Sequence, residues 1–215
     1  MCPFFCWLGF FPCGILHMFA LKLCLFILVV IAAVVGAAET SHTLFRVRTA
    51  RDTAGQSHQF GVSTPTKAIV LVFLGPECPV SQRYVPELNR IAAEAKTNSI
   101  EFFGVISGKS MTRTQAVEFV KEYAIQYPVL FDEGLALARW LRPTHMPEAF
   151  VLKPDGDRLY RGRIDDWFQA PGKARGVVQH RELRDAIAAA RAGKLPAKIF
   201  APPVGCYFEE LPRGD

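Results

Sequence analysis

Six consecutive apolar residues, Ile69 to Leu74, run without one polar side chain and stop at Gly75-Pro76. A strand with one wet face alternates. A strand with no polar face has to be covered on both sides, as in a parallel sheet. This run therefore restricts the chain to architectures with a central sheet and helices packed on its two faces. Just beyond it, Cys78-Pro79 opens a helical pattern that puts Tyr84, Leu88, Ile91 and Ala95 on one face and Glu87, Arg90 and Glu94 off it. Pro79 suits a first turn, where its missing N–H costs nothing. Pro86 falls inside the pattern and predicts a kink.

The rest of the chain adds alternating elements. Glu101 to Ser107 reads as a second apolar strand. Thr112-Arg113-Thr114-Gln115 has capping-box form ahead of a helix through Ala116, Val120, Tyr123 and Ala124. Pro128 to Asp132 is extended, and a brief helix follows through Leu135, Leu137, Ala138 and Leu141. Pro147 to Leu152 is the next strand, and the turn Pro154 to Asp157 sends Arg158 to Gly162 back antiparallel to it. A last helix from about Arg181 to Ala192 stops at Gly193. The tail from Leu195 to Asp215 has four prolines and no helical period. The order predicts an α/β fold, a central mixed sheet flanked by helices.

The first 38 of the 215 residues are of another kind, with one Lys, one His and no Asp, Glu or Arg. Leu23 to Val35 is an apolar core behind Lys22, and Val35-Gly36-Ala37-Ala38 supplies the small residues that a signal peptidase needs. Met18 would make a more compact start for such a leader. The competing reading is a retained membrane anchor. The run Leu23 to Ala38 falls short of the ~20 residues of a span, though Lys22 can snorkel and lengthen it. Residues 1–38 are thus expected to be a signal peptide or membrane anchor, and 39–215 one exported domain, periplasmic or extracellular. Four of six cysteines, Cys2, Cys6, Cys13 and Cys24, fall in the leader, which leaves Cys78 and Cys206. An oxidising compartment permits these two to pair but does not require it. The net charge of +5 is spread over interleaved Lys, Arg, Asp and Glu, so a nucleic-acid partner is not expected.

Gly75-Pro76-Glu77-Cys78-Pro79-Val80-Ser81 stands at the strand-to-helix junction where thioredoxin-fold proteins carry Cys-x-x-Cys, and Met146-Pro147-Glu148-Ala149-Phe150-Val151-Leu152 looks like their cis-proline strand. From about Phe60 to Cys206 the chain resembles the redoxin families, the alkyl hydroperoxide reductase and thiol-specific antioxidant group. It is similar in particular to exported bacterial redoxin-domain proteins with a Cys-Pro-Val-Ser site, an Arg-Gly-Arg-Ile-Asp-Asp segment and a late Gly-Cys. The counterparts here are Cys78 to Ser81, Arg161 to Asp166, and Gly205-Cys206. The resemblance implies a thioredoxin-like fold, thiol-based oxidoreductase chemistry without a cofactor, and a thiol or disulfide protein or a peroxide as substrate. Cys78 matches the nucleophilic Cys, and Ser81 replaces its partner. Three positions depart from the related patterns: Val72 stands where thioredoxin has a buried acid, Glu77 where it has Trp, and Gly75 where peroxiredoxins have Thr.

The chemistry expected of these residues follows from placement. A thiol at a helix N-terminus meets unpaired N–H groups and the positive end of the dipole, which favour thiolate. Ser81 can add a hydrogen bond from its hydroxyl. Pro147, as a cis residue, would hold its loop against Cys78 and leave the Met146 backbone free to pair with an extended substrate. Because Ser81 cannot resolve an oxidised Cys78, Cys206 in the apolar stretch Pro202 to Cys206 is the candidate resolving thiol. A free buried thiol and a static disulfide are its alternatives. Arg163, with Arg161, is a candidate positive charge near the thiolate or its substrate. The alternative pairs both arginines with Asp165 and Asp166 at the surface. Two other functions compete: a Cu(I) carrier using the soft ligands Cys78, His145 and Met146, although their spacing is no recognised metal motif, and a redox-inactive domain that binds partners.

Overall fold

The computed structural model describes residues 49–60, 66–108, 111–209 and 211, all within the compact unit Thr43–Asp215. The expected leader lies outside the described residues. Among them, no helix is long and apolar enough to cross a membrane.

A short hairpin, β1 (Thr49–Arg51) and β2 (Ser57–Gln59), precedes the apolar run, which forms β3 (Ala68–Phe73) with every residue buried. Its side chains alternate between two layers. Ala68, Val70 and Val72 enter one apolar cluster, while Ile69, Leu71 and Phe73 enter the other. Each large side chain so buried contributes about 1.5–3 kcal/mol relative to exposure. That contribution fixes β3 at the centre.

On the first layer lies α1 (Pro79–Lys96), an 18-residue helix that runs on through Pro86 and buries Val80, Tyr84, Val85, Leu88 and Ile91. Then β4 (Ile100–Ser107) pairs parallel to β3, and α2 (Arg113–Glu122) starts with the expected capping box, reciprocal between Thr112 and Gln115. Next, β5 (Val129–Asp132) adds parallel to β4. The six-residue α3 (Ala136–Leu141) packs on the second layer. The buried Asp132 carboxylate accepts from the Leu137 and Ala138 N–H groups and holds the start of that helix.

Two residues of β6 (His145–Met146) precede β7 (Glu148–Leu152), which runs antiparallel to β3, and β8 (Arg158–Gly162) returns antiparallel to β7. A small ribbon, β9 (Phe168–Ala170) with β10 (Lys173–Ala174), leads to α4 (Glu182–Arg191), which covers the first layer with Leu183, Ala186 and Ala190. The chain beyond α4 is not loose. It forms β11 (Phe200–Ala201), parallel to β8 at the sheet edge, and β12 (Cys206–Tyr207), antiparallel to β6. The six-stranded order is β11-β8-β7-β3-β4-β5. The fold is thioredoxin-like, with its mixed sheet between helices, as the element order predicted.

Gly162 makes the docking of β11 possible. Its φ is +141°, and a Cβ there would overlap the Ala201 carbonyl oxygen. The Gly162→Ala variant is expected to lose about 1–3 kcal/mol of stability to backbone strain. Amide exchange should quicken at Arg161 and Arg163, whose N–H groups donate to Ile199 and Ala201. Unchanged exchange at those two amides would refute this account of the edge.

Candidate functional site

The central strand delivers the site. After Phe73 the backbone keeps one more sheet contact, Leu74 N–H to the Val105 carbonyl at 2.9 Å, and then turns. The turn is closed by Cys78 N–H donating to the Gly75 carbonyl at 2.9 Å and by the Gln82 side-chain amide donating to the Pro76 carbonyl at 2.7 Å. Cys78 is the N-cap residue of α1, with Pro79 following in the first turn. Its side chain is buried, 2 % exposed.

Ser81 is fully buried one turn along. Its Oγ accepts from the Gly75 N–H at 3.2 Å, tying the end of the strand to the start of the helix. A hydroxyl that accepts there still has its own proton to donate, and that proton serves the Cys78 sulfur.

Opposite Cys78 stands the Met146–Pro147 loop, with its peptide bond cis. The Cys78 thiol donates to the Met146 carbonyl at 3.0 Å. Glu148, completely buried, organises this loop. It accepts from Thr144 N–H at 2.6 Å, Thr144 Oγ1 at 3.0 Å and His145 N–H at 3.2 Å, and it pairs with Arg161 Nε at 2.8 Å.

The Met146 backbone is not free, contrary to expectation. Its antiparallel partner is Cys206 of the chain's own tail, and Tyr207 pairs with His145. Cys206 is exposed rather than enclosed by the apolar tail, yet its thiol and backbone N–H both reach the Cys78 sulfur. Both cysteines are free thiols. Burial pushes the Cys78 thiol up, but hydrogen bonds from the Cys206 thiol, the Ser81 N–H, the Cys206 N–H and the Ser81 hydroxyl outweigh it. The net effect holds Cys78 below the ordinary thiol range. For Cys206, burial, the hydrogen bond it gives to Cys78 and the charge on that sulfur all act together, and its thiol is pushed up to about 11. One sulfur is prepared to ionise and the other to stay protonated.

The sulfurs open onto a cleft of about 350 Å³ lined by Leu74, Glu77, Ser107, Met111, Tyr207 and Glu209 beside the residues already named. Arg163 is not part of it. Its guanidinium is held by Glu182, which is 4 % exposed. Arg161 is held by Glu148, and neither arginine pairs with Asp165 or Asp166. Asp165 accepts from the Tyr84 hydroxyl at 2.6 Å, and Asp166 pairs with Arg175. Thus the structure gathers Cys78, Ser81, Met146, Pro147 and Cys206 and leaves Arg163 outside. Sequence reasoning had not singled out Glu148. An acid inside an apolar strand, four residues after a Thr and thirteen before an Arg, was the available signal.

Comparison with known proteins agrees with this arrangement. Residues 45–157 match the family described as AhpC/TSA. Thiol-disulfide oxidoreductase ResA of Halalkalibacterium halodurans is 27% identical over 93 residues, which covers 42% of this chain and 51% of that protein. The protein of the same name from Bacillus cereus is 24% identical over 90 residues, again covering 42% and 51%. The chain spans about half the length of these curated relatives. A hypothetical protein from Sinorhizobium meliloti superposes with a TM-score of 0.65 at 21% identity, covering 74% of this chain and 88% of that one. An uncharacterised conserved protein from Geobacillus kaustophilus gives 0.64 at 21% identity, covering 77% and 89%. At that identity the two structures share the fold alone.

The unequal thiols make a measurable difference. With iodoacetamide, Cys78 should label with a midpoint below that of an ordinary thiol, about 8.5, and Cys206 only near 11. Removing the donor in Cys206→Ala should raise the Cys78 midpoint and slow its labelling severalfold at neutral pH. Cys206→Ser, which keeps a hydroxyl donor, should shift it less. A Cys78 midpoint indifferent to both substitutions would refute the hydrogen-bond account.

Proposed function

The chain belongs to the AhpC/TSA family, and we propose that it works outside the cytoplasm as a thiol-based oxidoreductase, with Cys78 the nucleophile toward a disulfide or a peroxide and Cys206 its resolving thiol. The observation that carries this reading is the placement of Cys206, paired with Met146 whose carbonyl accepts from the Cys78 thiol, so that both sulfurs line one cleft. It keeps the second thiol within reach of whatever forms on the first. The relatives named as thiol-disulfide oxidoreductases support the same chemistry. The composition of residues 1–38 supports export, as a leader or anchor ahead of the domain at 39–215.

With a disulfide R–S–S–R, the Cys78 thiolate attacks one sulfur, R–S⁻ leaves and a mixed disulfide remains. The Cys206 sulfur then attacks that of Cys78, the second R–S⁻ leaves, and the Cys206 proton passes to a departing thiolate. Two electrons have moved from the protein thiols to the substrate. With a hydroperoxide ROOH, the first step gives ROH and a Cys78 sulfenic acid, and the second releases water. Ser81 and the Met146–Pro147 loop position the sulfur throughout. Arg163 has no role in these steps.

A second reading, a Cu(I) carrier, rests on one observation. A methyl group at Gly75 would stand 3.1 Å from Met146 Sδ and 3.2 Å from Cys78 Cβ. A thioether therefore borders the Cys78 side chain, and Cys78, Met146 and His145 beside it are donors that suit Cu(I). That reading expects the reduced protein to retain Cu(I) against a competing chelator and to show no turnover with disulfides.

Mass spectrometry of the protein after limited peroxide tests the redox reading. A Cys78–Cys206 disulfide is expected in the wild type and accumulated Cys78 sulfenic acid in Cys206→Ser, while in Cys78→Ser Cys206 stays reduced. The same spectra report whether residues 1–38 have been removed. Unchanged turnover in Cys206→Ser would transfer resolution to an external thiol and overturn the role of Cys206.

A further inference from the structure

We propose that the docked tail, Gly205 to Phe208, is the specificity element of this site: it fills the strand-pairing edge beside Cys78, so the closed protein reacts with low-molecular-weight disulfides or hydroperoxides and not with polypeptide disulfides. The inference rests on Cys78 as the nucleophile. An extended polypeptide is best presented to a sulfur here by adding a strand to the open edge of β6, where main-chain hydrogen bonds would hold it. That edge is taken. Cys206 and Tyr207 pair with Met146 and His145, and Phe208 N–H donates to the Thr144 carbonyl at 2.9 Å.

Each of four successive tail residues is secured by a different contact. Gly205 is packed so closely that a Cβ would overlap the Met146 carbonyl oxygen. Cys206 pairs with Met146 and shares the cleft with Cys78. The Tyr207 ring meets the His145 ring at a tilt of 40°, with centroids 4.8 Å apart. Phe208, 6 % exposed, meets Phe73 edge-on at 6.0 Å. What stays open is the cleft of about 350 Å³ between this tail, the Gly75–Glu77 turn and Met111. A small disulfide or hydroperoxide fits there, while a second strand finds the β6 edge beside Cys78 already paired with β12. Release of the tail exposes the edge but takes the Cys206 donor away from Cys78. The two classes of substrate therefore respond to undocking with opposite signs.

The experiment uses the reduced full-length protein and two probes, hydroxyethyl disulfide and an eight-residue peptide carrying a central cysteine as its mixed disulfide with mercaptoethanol. Single-turnover rates at Cys78 are compared in wild type, Gly205→Val and Phe208→Ala, two variants that loosen the tail through unrelated contacts. Amide exchange at Tyr207 and Phe208 reports undocking in each. Peptide reactivity should rise about tenfold or more, because it follows the open fraction, while reactivity with hydroxyethyl disulfide falls. An unchanged ratio of the two rates in a variant with released tail amides overturns the inference and leaves the redox reading standing. A wild-type Cys78 inert toward both probes and toward a hydroperoxide overturns the redox reading as well.

Discussion

Complete burial of β3 governs this molecule. A strand with no polar side chain on either face can lie only where both faces are covered, and the two layers its alternate residues enter set the positions of everything else. Because β3 is central, its C-terminal end opens between the layers, and the Gly75-Pro76 turn places Cys78 there at the start of α1. The site is thus a by-product of the sheet's middle: backbone N–H groups from the helix start, a carbonyl from the facing loop, and no room for bulk water behind the sulfur. Removing one large side chain from β3 would act on the fold and on Cys78 together.

What was legible in the sequence is what depends on near neighbours. The run Ile69 to Leu74, the helix after Pro79, the capping box at Thr112 and the hairpin around Pro154 to Asp157 each carry a local signature, and each stands where it was expected. The junction that carries Cys78 and the cis-proline strand were legible through the resemblance to thioredoxin-fold proteins. The remainder depends on groups far apart in the chain. Glu148 looks like an acid misplaced in a strand until Arg161 and the Thr144–His145 backbone arrive to receive it. Arg163 was a candidate near the thiolate through the family resemblance, and its acidic neighbours in sequence suggested surface pairing instead, but Glu182 on α4 claims it. The tail, with prolines and no period, offered no pattern from which its two short strands could be read. The glycines at 162 and 205 that admit it have their partners 39 and 59 residues away, at Ala201 and Met146.

Those two glycines set how the tail is held. One leaves room for β11 against β8 and the other for β12 against the Met146 loop, so the segment is fixed at both the sheet edge and the sulfur. Between these points Pro202 and Pro203 limit the backbone's freedom. The arrangement brings a cysteine from the far end of the domain beside Cys78, and it leaves Ser81 to bond the strand end.

The unequal acidity of the two thiols also fixes how many protons accompany electrons. Cys78 is held low and Cys206 is raised to about 11, so at intermediate pH the reduced pair carries one proton, not two. On the proposed redox reading, oxidation to a disulfide in that interval releases a single proton for two electrons. The reduction potential of such a couple falls by about 30 mV per pH unit across that interval, half the slope of an ordinary dithiol.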